Sequence, residues 1–165
     1  MMDDIHNTTS NQIHEITWIN TNTKAGIYTA LGMIFYFVIM RLLNLHYILE
    51  LHYFNIVILF FGLRYAIKRN ILLKGEIRYF EGLKSGIVVT LITVFIFNIF
   101  MLIYETIIDP AFLNHLKENI YLGDQFTTQT VFNVMGILTI EGLSSGFIMT
   151  YMLMQYYKAD SSETK

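Results

Sequence analysis

Residues 85–104 read SGIVVTLITVFIFNIFMLIY, 20 consecutive residues without a charge. A helix rises about 1.5 Å per residue, so roughly 20 apolar residues reach across the roughly 30 Å hydrocarbon core of a bilayer. In water a helix of this composition would have no polar face to show, so lipid is its expected solvent. Three further stretches follow the same logic. Residues 25–43 carry one charge, Arg41, close enough to the far end to snorkel. Residues 47–67 hold Glu50 and His52 near the start and Arg64 near the end, where polar tips reach headgroups. Residues 131–157 carry only Glu141 and end at Tyr156, Tyr157 and Lys158, an aromatic and basic stop. The pattern predicts an all-α integral membrane protein with four transmembrane helices arranged as two hairpins.

Composition agrees. Of 165 residues, 54% are hydrophobic and 15% charged, against roughly 25% charged in soluble domains. Mean hydropathy is +0.46, which argues against a soluble enzyme. A net charge of −2 argues against a nucleic-acid partner. The absence of cysteine excludes disulfides, thiolate catalysis and Cys-rich zinc sites.

Basic residues set the expected orientation, because Lys and Arg are retained on the cytoplasmic side. Arg64, Lys68, Arg69, Lys74, Arg78 and Lys84 flank or fill the connection between the second and third spans. Lys24 precedes the first span, and Lys158 and Lys165 follow the fourth, leaving only Arg41 and Lys117 for the other side. Both termini are therefore expected in the cytoplasm. Residues 1–24 lack a basic segment followed by a short apolar core, so they read as a retained cytoplasmic tail rather than a cleaved signal. Within it Ile13, Ile16, Trp18 and Ile19 can form one amphipathic turn at the membrane surface. Residues 158–165 form the second tail. The outer connection, 105–130, contains Asp109-Pro110, a helix N-cap followed by a favoured first helical residue, so a short helix is expected from Asp109.

Lys24–Leu43 aligns without gaps on Lys84–Ile103 with eight identities in 20, beginning with Lys-x-Gly-Ile in both. The alignment suggests a parallel duplication of two hairpins.

The stretch KGEIRYFEGLKSGI, 74–87, leads into the third span, which is followed by YETIIDPAFLNHL, 104–116. Gly75, Ile77 and Tyr79, then Lys84 and Gly86, then Asp109, Pro110 and Phe112 occupy the places of a Gly-x-Ile-x-Phe box, a Lys-x-Gly step and an Asp-Pro-x-Phe step. In this pattern the chain resembles an uncharacterised family of small bacterial four-span inner-membrane proteins, a domain of unknown function. Tyr79 stands where the family more often has Phe, and Glu76 and Glu81 make the box more acidic. The resemblance implies a multi-pass protein of the bacterial cytoplasmic membrane and implies no reaction, cofactor or substrate.

Glu141 is the first candidate for chemistry, about three residues or roughly 5 Å from the centre of its span. An ionised carboxylate at that depth costs on the order of several kcal/mol unless it meets a partner or water. It can serve as a proton relay or counter-charge, or simply hydrogen-bond across helices. Gly142 and Gly146, with Ser144 and Ser145 between them, form a Gly-xxx-Gly pattern that lets backbones approach closely in lipid. Gly82 and Gly86 repeat the spacing, so EGLKSG (81–86) and EGLSSG (141–146) mark close contacts. A homodimer seam through the fourth span is one use of them.

At the outer face Arg41, His46, Glu50, His52, Glu105 and Asp109 can converge as a charged mouth, with Arg41 and Glu50 the expected pair. No HExxH pattern accompanies the histidines, so headgroup contacts and salt bridges are expected there rather than a metal. The cytoplasmic connection IKRNILLKGEIRYFEGLK, 67–84, has no phosphate-binding glycine pattern and suits anchoring to anionic headgroups. No cofactor is expected. The sequence points first to a non-enzymatic scaffold or membrane-partner subunit, its partners the lipid bilayer and a second copy or another membrane protein. The alternative is a small oligomeric carrier or channel that conducts a proton or solute past Glu141. A membrane enzyme would need a base-activated nucleophile, a metal constellation or a nucleotide motif, and the sequence displays none.

Overall fold

In a bilayer a chain must satisfy its backbone polar groups internally, and the 85–104 run does so as a helix. The computed structural model describes residues 2–43, 45, 53–74, 79–108 and 131–163. Within them lie α1 (Met2–Leu42), α2 (Phe54–Lys74), α3 (Tyr79–Ile103), a π-helical turn at Tyr104–Ile108, and α4 (Val131–Glu163). The expected connection helix at Asp109 lies outside the described residues.

The helices pair antiparallel. Along α1 and α2, Tyr36 stacks on Phe54 at one end, Gly62 meets Thr29 midway, and Asn70 bonds Asn22 at the other. Along α3 and α4, Gly82 faces Met154, Gly86 faces Thr150, Thr90 faces Gly146, and Val94 faces Gly142. The two pairs join through α1 and α3, which run parallel, and α2 also packs against α3 and α4. One apolar cluster gathers Ala25, Leu59, Leu63, Ala66, Ile67, Val89, Leu153 and Met154; a second gathers Met33, Phe37, Phe97, Met101 and Tyr104.

Large apolar side chains also cover the lateral surface, with Phe35, Phe95 and Ile140 each about two-thirds exposed (68%, 67% and 68%). An apolar mantle of this kind is unstable in water and stable in lipid. Three segments are long and apolar enough to cross a membrane: Ile16–Leu42, Tyr79–Ile103 and Met135–Lys158. That fits an integral membrane protein.

Two boundaries differ from those expected. The first helix does not begin near residue 25 but at Met2, and its apolar portion starts at Ile16. Asn22, Ala25 and Thr29 are buried against neighbouring helices, so packing carries the helix through the polar stretch around Lys24. Among the described residues the second helix covers 54–74, so it runs past the expected end at 67. Its buried stripe, Leu59, Leu63, Ala66, Ile67 and Asn70, continues past Ile67 at helical spacing, while Arg64, Lys68 and Arg69 sit on the exposed face.

The two pairs lie as a parallel duplication implies, with α1 and α3 parallel, but their residue contacts do not repeat. Gly26 faces Ile92 on α3, whereas Gly86 faces Thr150 on α4; a two-fold exchanging α1 with α3 would bring Gly86 onto α1. The likeness that does appear in space is between α3 and α4. Gly82, Gly86, Thr90 and Val94 repeat the spacing of Gly142, Gly146, Thr150 and Met154, and the two series meet in opposite directions.

Candidate functional site

The α3–α4 register fixes the level of Glu141. Gly142 faces Val94, whose Cγ2 lies 2.8 Å from where a Cβ on that glycine would stand. Glu141 is therefore level with the middle of the uncharged 85–104 run.

At this level the four helices leave a chamber of about 50 Å³. Its wall takes Met33 from α1; Asn55, Ile56 and Leu59 from α2; Val94, Phe97 and Asn98 from α3; and Leu138, Glu141, Gly142 and Ser145 from α4. Leu59 belongs to one apolar cluster and Met33 and Phe97 to the other, so the chamber interrupts the core between them. Glu141 is exposed at its edge, beside the lateral residues Phe95 and Ile140.

The polar groups on this wall are rich in acceptors. Asn98 Nδ2 donates to Thr139 Oγ1 at 2.7 Å, and Thr139 Oγ1 donates to the Met135 carbonyl at 2.7 Å. A threonine hydroxyl has one proton, and here it is committed to Met135, so Thr139 can only accept from Asn98. That fixes the Asn98 amide orientation and leaves its Oδ1 buried without a partner. Asn55 Oδ1 is likewise buried without a partner. Both amide oxygens belong to residues that line this space, yet neither oxygen is itself exposed to it, and buried acceptors left unpaired cost about 1–3 kcal/mol each.

The glycines singled out from sequence form a different feature, a dry seam. A Cβ on Gly86 or Gly146 would run into the side chain of Thr150 or Thr90. Each of these threonines returns its hydroxyl to the carbonyl four residues earlier, Thr90 to Gly86 at 2.8 Å and Thr150 to Gly146 at 2.7 Å. The hydroxyls are satisfied within their own helices, so the seam needs no water. The Gly142/Gly146 face is thus occupied by α3 of the same chain. Ser145, on the chamber wall, belongs to the site rather than to the seam.

A buried polar knot at the other end of the bundle carries no signal in the sequence reading. Asn70 Nδ2 donates to Asn22 Oδ1 and to Ser85 Oγ, both at 2.8 Å, and Ser85 Oγ donates to Asn22 Oδ1 at 2.6 Å. Asn22, Asn70 and Ser85 are at most 1% exposed and belong to α1, α2 and α3.

Of the expected outer cluster, Arg41 places its guanidinium carbon 4.8 Å from the ring centroid of Tyr104, within cation–π range. Phe37 meets the same ring edge-on at 4.8 Å. His46, Glu50, His52, Asp109 and the side chain of Glu105 lie outside the described residues, and the expected Arg41–Glu50 pair with them. Among the described residues no group of three or more His, Cys, Asp or Glu is placed to hold a metal ion. Replacing Arg41 by glutamine is expected to lower stability by about 0.5–2 kcal/mol and Arg41→Lys by less, read from unfolding midpoints in detergent.

Residues 24–158 match the family described as "Protein of unknown function (DUF4199)". The chain belongs to that family. No curated protein and no solved structure matches it. The matched stretch includes the motif residues from Gly75 to Phe112, the whole chamber and the whole α3–α4 seam; of the polar knot only Asn22 falls outside it.

Proposed function

We propose that this member of the DUF4199 family is a non-enzymatic, four-span protein of the bacterial inner membrane with both termini cytoplasmic, and that it acts as a small carrier or channel-forming subunit through the Glu141 chamber. Packing of α2 along α1 from Tyr36·Phe54 to Asn22·Asn70 supports α2 as the fourth span. The crowding of basic residues between α2 and α3 supports the orientation.

The observation that carries the functional reading is the chamber itself, which the four helices leave at the depth of Glu141 with Asn55, Asn98, Glu141 and Ser145 among its wall residues. The scaffold expectation drew on Gly142 and Gly146 as a face for a second chain, and α3 takes that face. One observation still favours a membrane-partner role: Glu141 is exposed beside Phe95 and Ile140, where another membrane protein can cover it.

Water access separates the two. With no native cysteine, Ser145→Cys can be treated in intact membranes with a water-soluble, membrane-impermeant maleimide. Rapid modification is expected, while Ile148→Cys, at a position 59% exposed on the lateral face, stays unmodified. An unmodified Ser145→Cys would mean a dry chamber, and the partner-subunit reading would replace the carrier.

A further inference from the structure

We propose that the α2–α4 face of the bundle docks a second copy of this chain, Glu141 of each copy pairing with Arg64 of the other. The inference makes no use of the chamber and stands apart from the carrier reading; it shares with it only α2 as a membrane span.

Arg64 is the middle residue of the described α2, ten residues from Phe54 and ten from Lys74, about 15 Å from either end. It is exposed on the lateral surface between the exposed Phe61 and Tyr65. Lys68 and Arg69 differ, because they adjoin Asn70, which bonds Ser85 at one end of the uncharged 85–104 run, where headgroups are within reach. Arg64 is six residues, about 9 Å, deeper than Asn70. Helical side chains lean toward the N-terminal end, which in α2 is away from those headgroups. Glu141 is exposed on α4. Among the described residues neither charge has an ion-pair partner within the chain, and each is costly in lipid without one.

The two charges lie at nearly one depth. Gly62 meets Thr29 on α1, and Gly26, three residues before Thr29, meets Ile92 on α3, so Gly62 stands near the level of Phe95. Gly142 meets Val94, at the same level. Arg64 is two residues beyond Gly62 and Glu141 one residue before Gly142, a separation in depth of about 5 Å. Because α2 and α4 run in the same direction, the lean of the long arginine carries it toward the level of Glu141. Both charges also flank one helix contact. α2 packs against α4; Phe60, one turn before Arg64, joins the cluster that holds Leu153 and Met154, and Glu141 shares the chamber wall with Ile56 and Leu59.

Copies inserted in one membrane share an orientation, so a group on one copy meets only groups at its own depth on the next. Arg64 and Glu141 meet that condition, and a two-fold axis along the membrane normal pairs both charges of both copies in a closed dimer. Exposed Phe61, Tyr65, Ile148 and Met152 supply the apolar surround in which an ion pair is strong. A different membrane protein would have to bring both opposite charges at this depth; this chain already carries them.

The test is energy transfer between full chains bearing donor or acceptor dyes on Lys165→Cys, the chain having no other cysteine, in phosphatidylcholine vesicles at falling protein-to-lipid ratio. Wild type is expected to associate reversibly as dimers. Glu141→Gln and Arg64→Gln are each expected to weaken association on the order of tenfold or more, and Phe35→Ala, exposed on α1, to leave it unchanged. The deciding arm uses Arg64→Glu and Glu141→Arg. Neither is expected to associate with itself, and an equal mixture is expected to regain transfer, because each chain then meets its complement at both sites. If the reversed chains fail to insert, the two glutamine variants decide. Wild-type chains that stay monomeric overturn the proposal, as do glutamine variants that associate as wild type. Association that appears only when phosphatidylglycerol is added also overturns it and assigns Arg64 to an anionic headgroup. Recovery in a chain carrying both reversals, with none in the mixture, overturns it by placing the pair within one chain. Maleimide access to Ser145→Cys reports on the carrier alone, so the two readings fail separately.

Discussion

Gly146→Leu is expected to destabilise the bundle by about 3 kcal/mol or more, and Gly146→Ala by about 1–3 kcal/mol, the range for overpacking a well-packed contact. A Cβ at residue 146 falls on both Cγ2 and Oγ1 of Thr90. Thr90 has little freedom to yield. It is β-branched, and turning away would release its hydroxyl from the Gly86 carbonyl, 2.8 Å distant, into an apolar seam. Gly86 stands in the same relation to Thr150, so Gly86→Ala should cost about as much as Gly146→Ala. Gly82 differs, because its obstacle is the Sδ and Cε end of Met154, a flexible side chain that can move aside. Gly136 has nothing within 4 Å of an added Cβ, so Gly136→Ala should be neutral or slightly stabilising. The measurement is the unfolding midpoint of each variant in one detergent. The expected order of loss is Gly146 and Gly86 first, Gly82 next, Gly136 last. A Gly146→Leu protein that unfolds with wild type would show that α3 and α4 do not approach as closely as described.

The two glycine series were legible in the sequence, because close packing in lipid leaves a local mark: small residues every fourth position. Their pairing was not. The helices run antiparallel, so the glycines of one motif do not meet those of the other: each meets a Thr, Val or Met further along the facing helix. Glu141 was legible for a similar reason, since a charge stands out in an apolar run. Asn98 carries the same signal more quietly as an amide near the middle of the 85–104 run, and an intramembrane Asn is read as an interhelical bonder. Asn55 lay within the expected second span and was hidden by the charges at its ends.

Element positions were less legible where packing overrides hydropathy. Arg64, Lys68 and Arg69 suggest an exit from the membrane near residue 67, but they occupy one face of α2 while Leu63, Ala66, Ile67 and Asn70 occupy the buried one. Residue-by-residue charge cannot see that division; helical phase can. Asn22 and Ser85 likewise sit beside lysines that suggest a boundary, yet both are fully buried.

Asn22→Leu is expected to cost about 1–3 kcal/mol, more than Asn70→Leu, with Ser85→Ala the mildest of the three. The ranking follows from who accepts. Asn22 Oδ1 takes bonds from both Asn70 and Ser85, so its removal leaves one Asn70 N–H and the Ser85 hydroxyl proton without an acceptor while the Asn70–Ser85 bond remains, and only Ser85 has a local alternative in the carbonyl four residues earlier. Removing Asn70 leaves the 2.6 Å Ser85–Asn22 bond intact. Removing the Ser85 hydroxyl leaves Asn70 bonded to Asn22 at 2.8 Å. Single interhelical bonds in membrane proteins average about 0.6 kcal/mol, so a cost above that for Asn22 would come from stranded donors rather than lost attraction. A double-mutant cycle distinguishes the two sources. Asn22→Leu with Asn70→Leu removes the acceptor together with its main donor, and the pair should cost clearly less than the sum of the singles. Strict additivity would show that the three side chains do not act as one knot joining α1, α2 and α3.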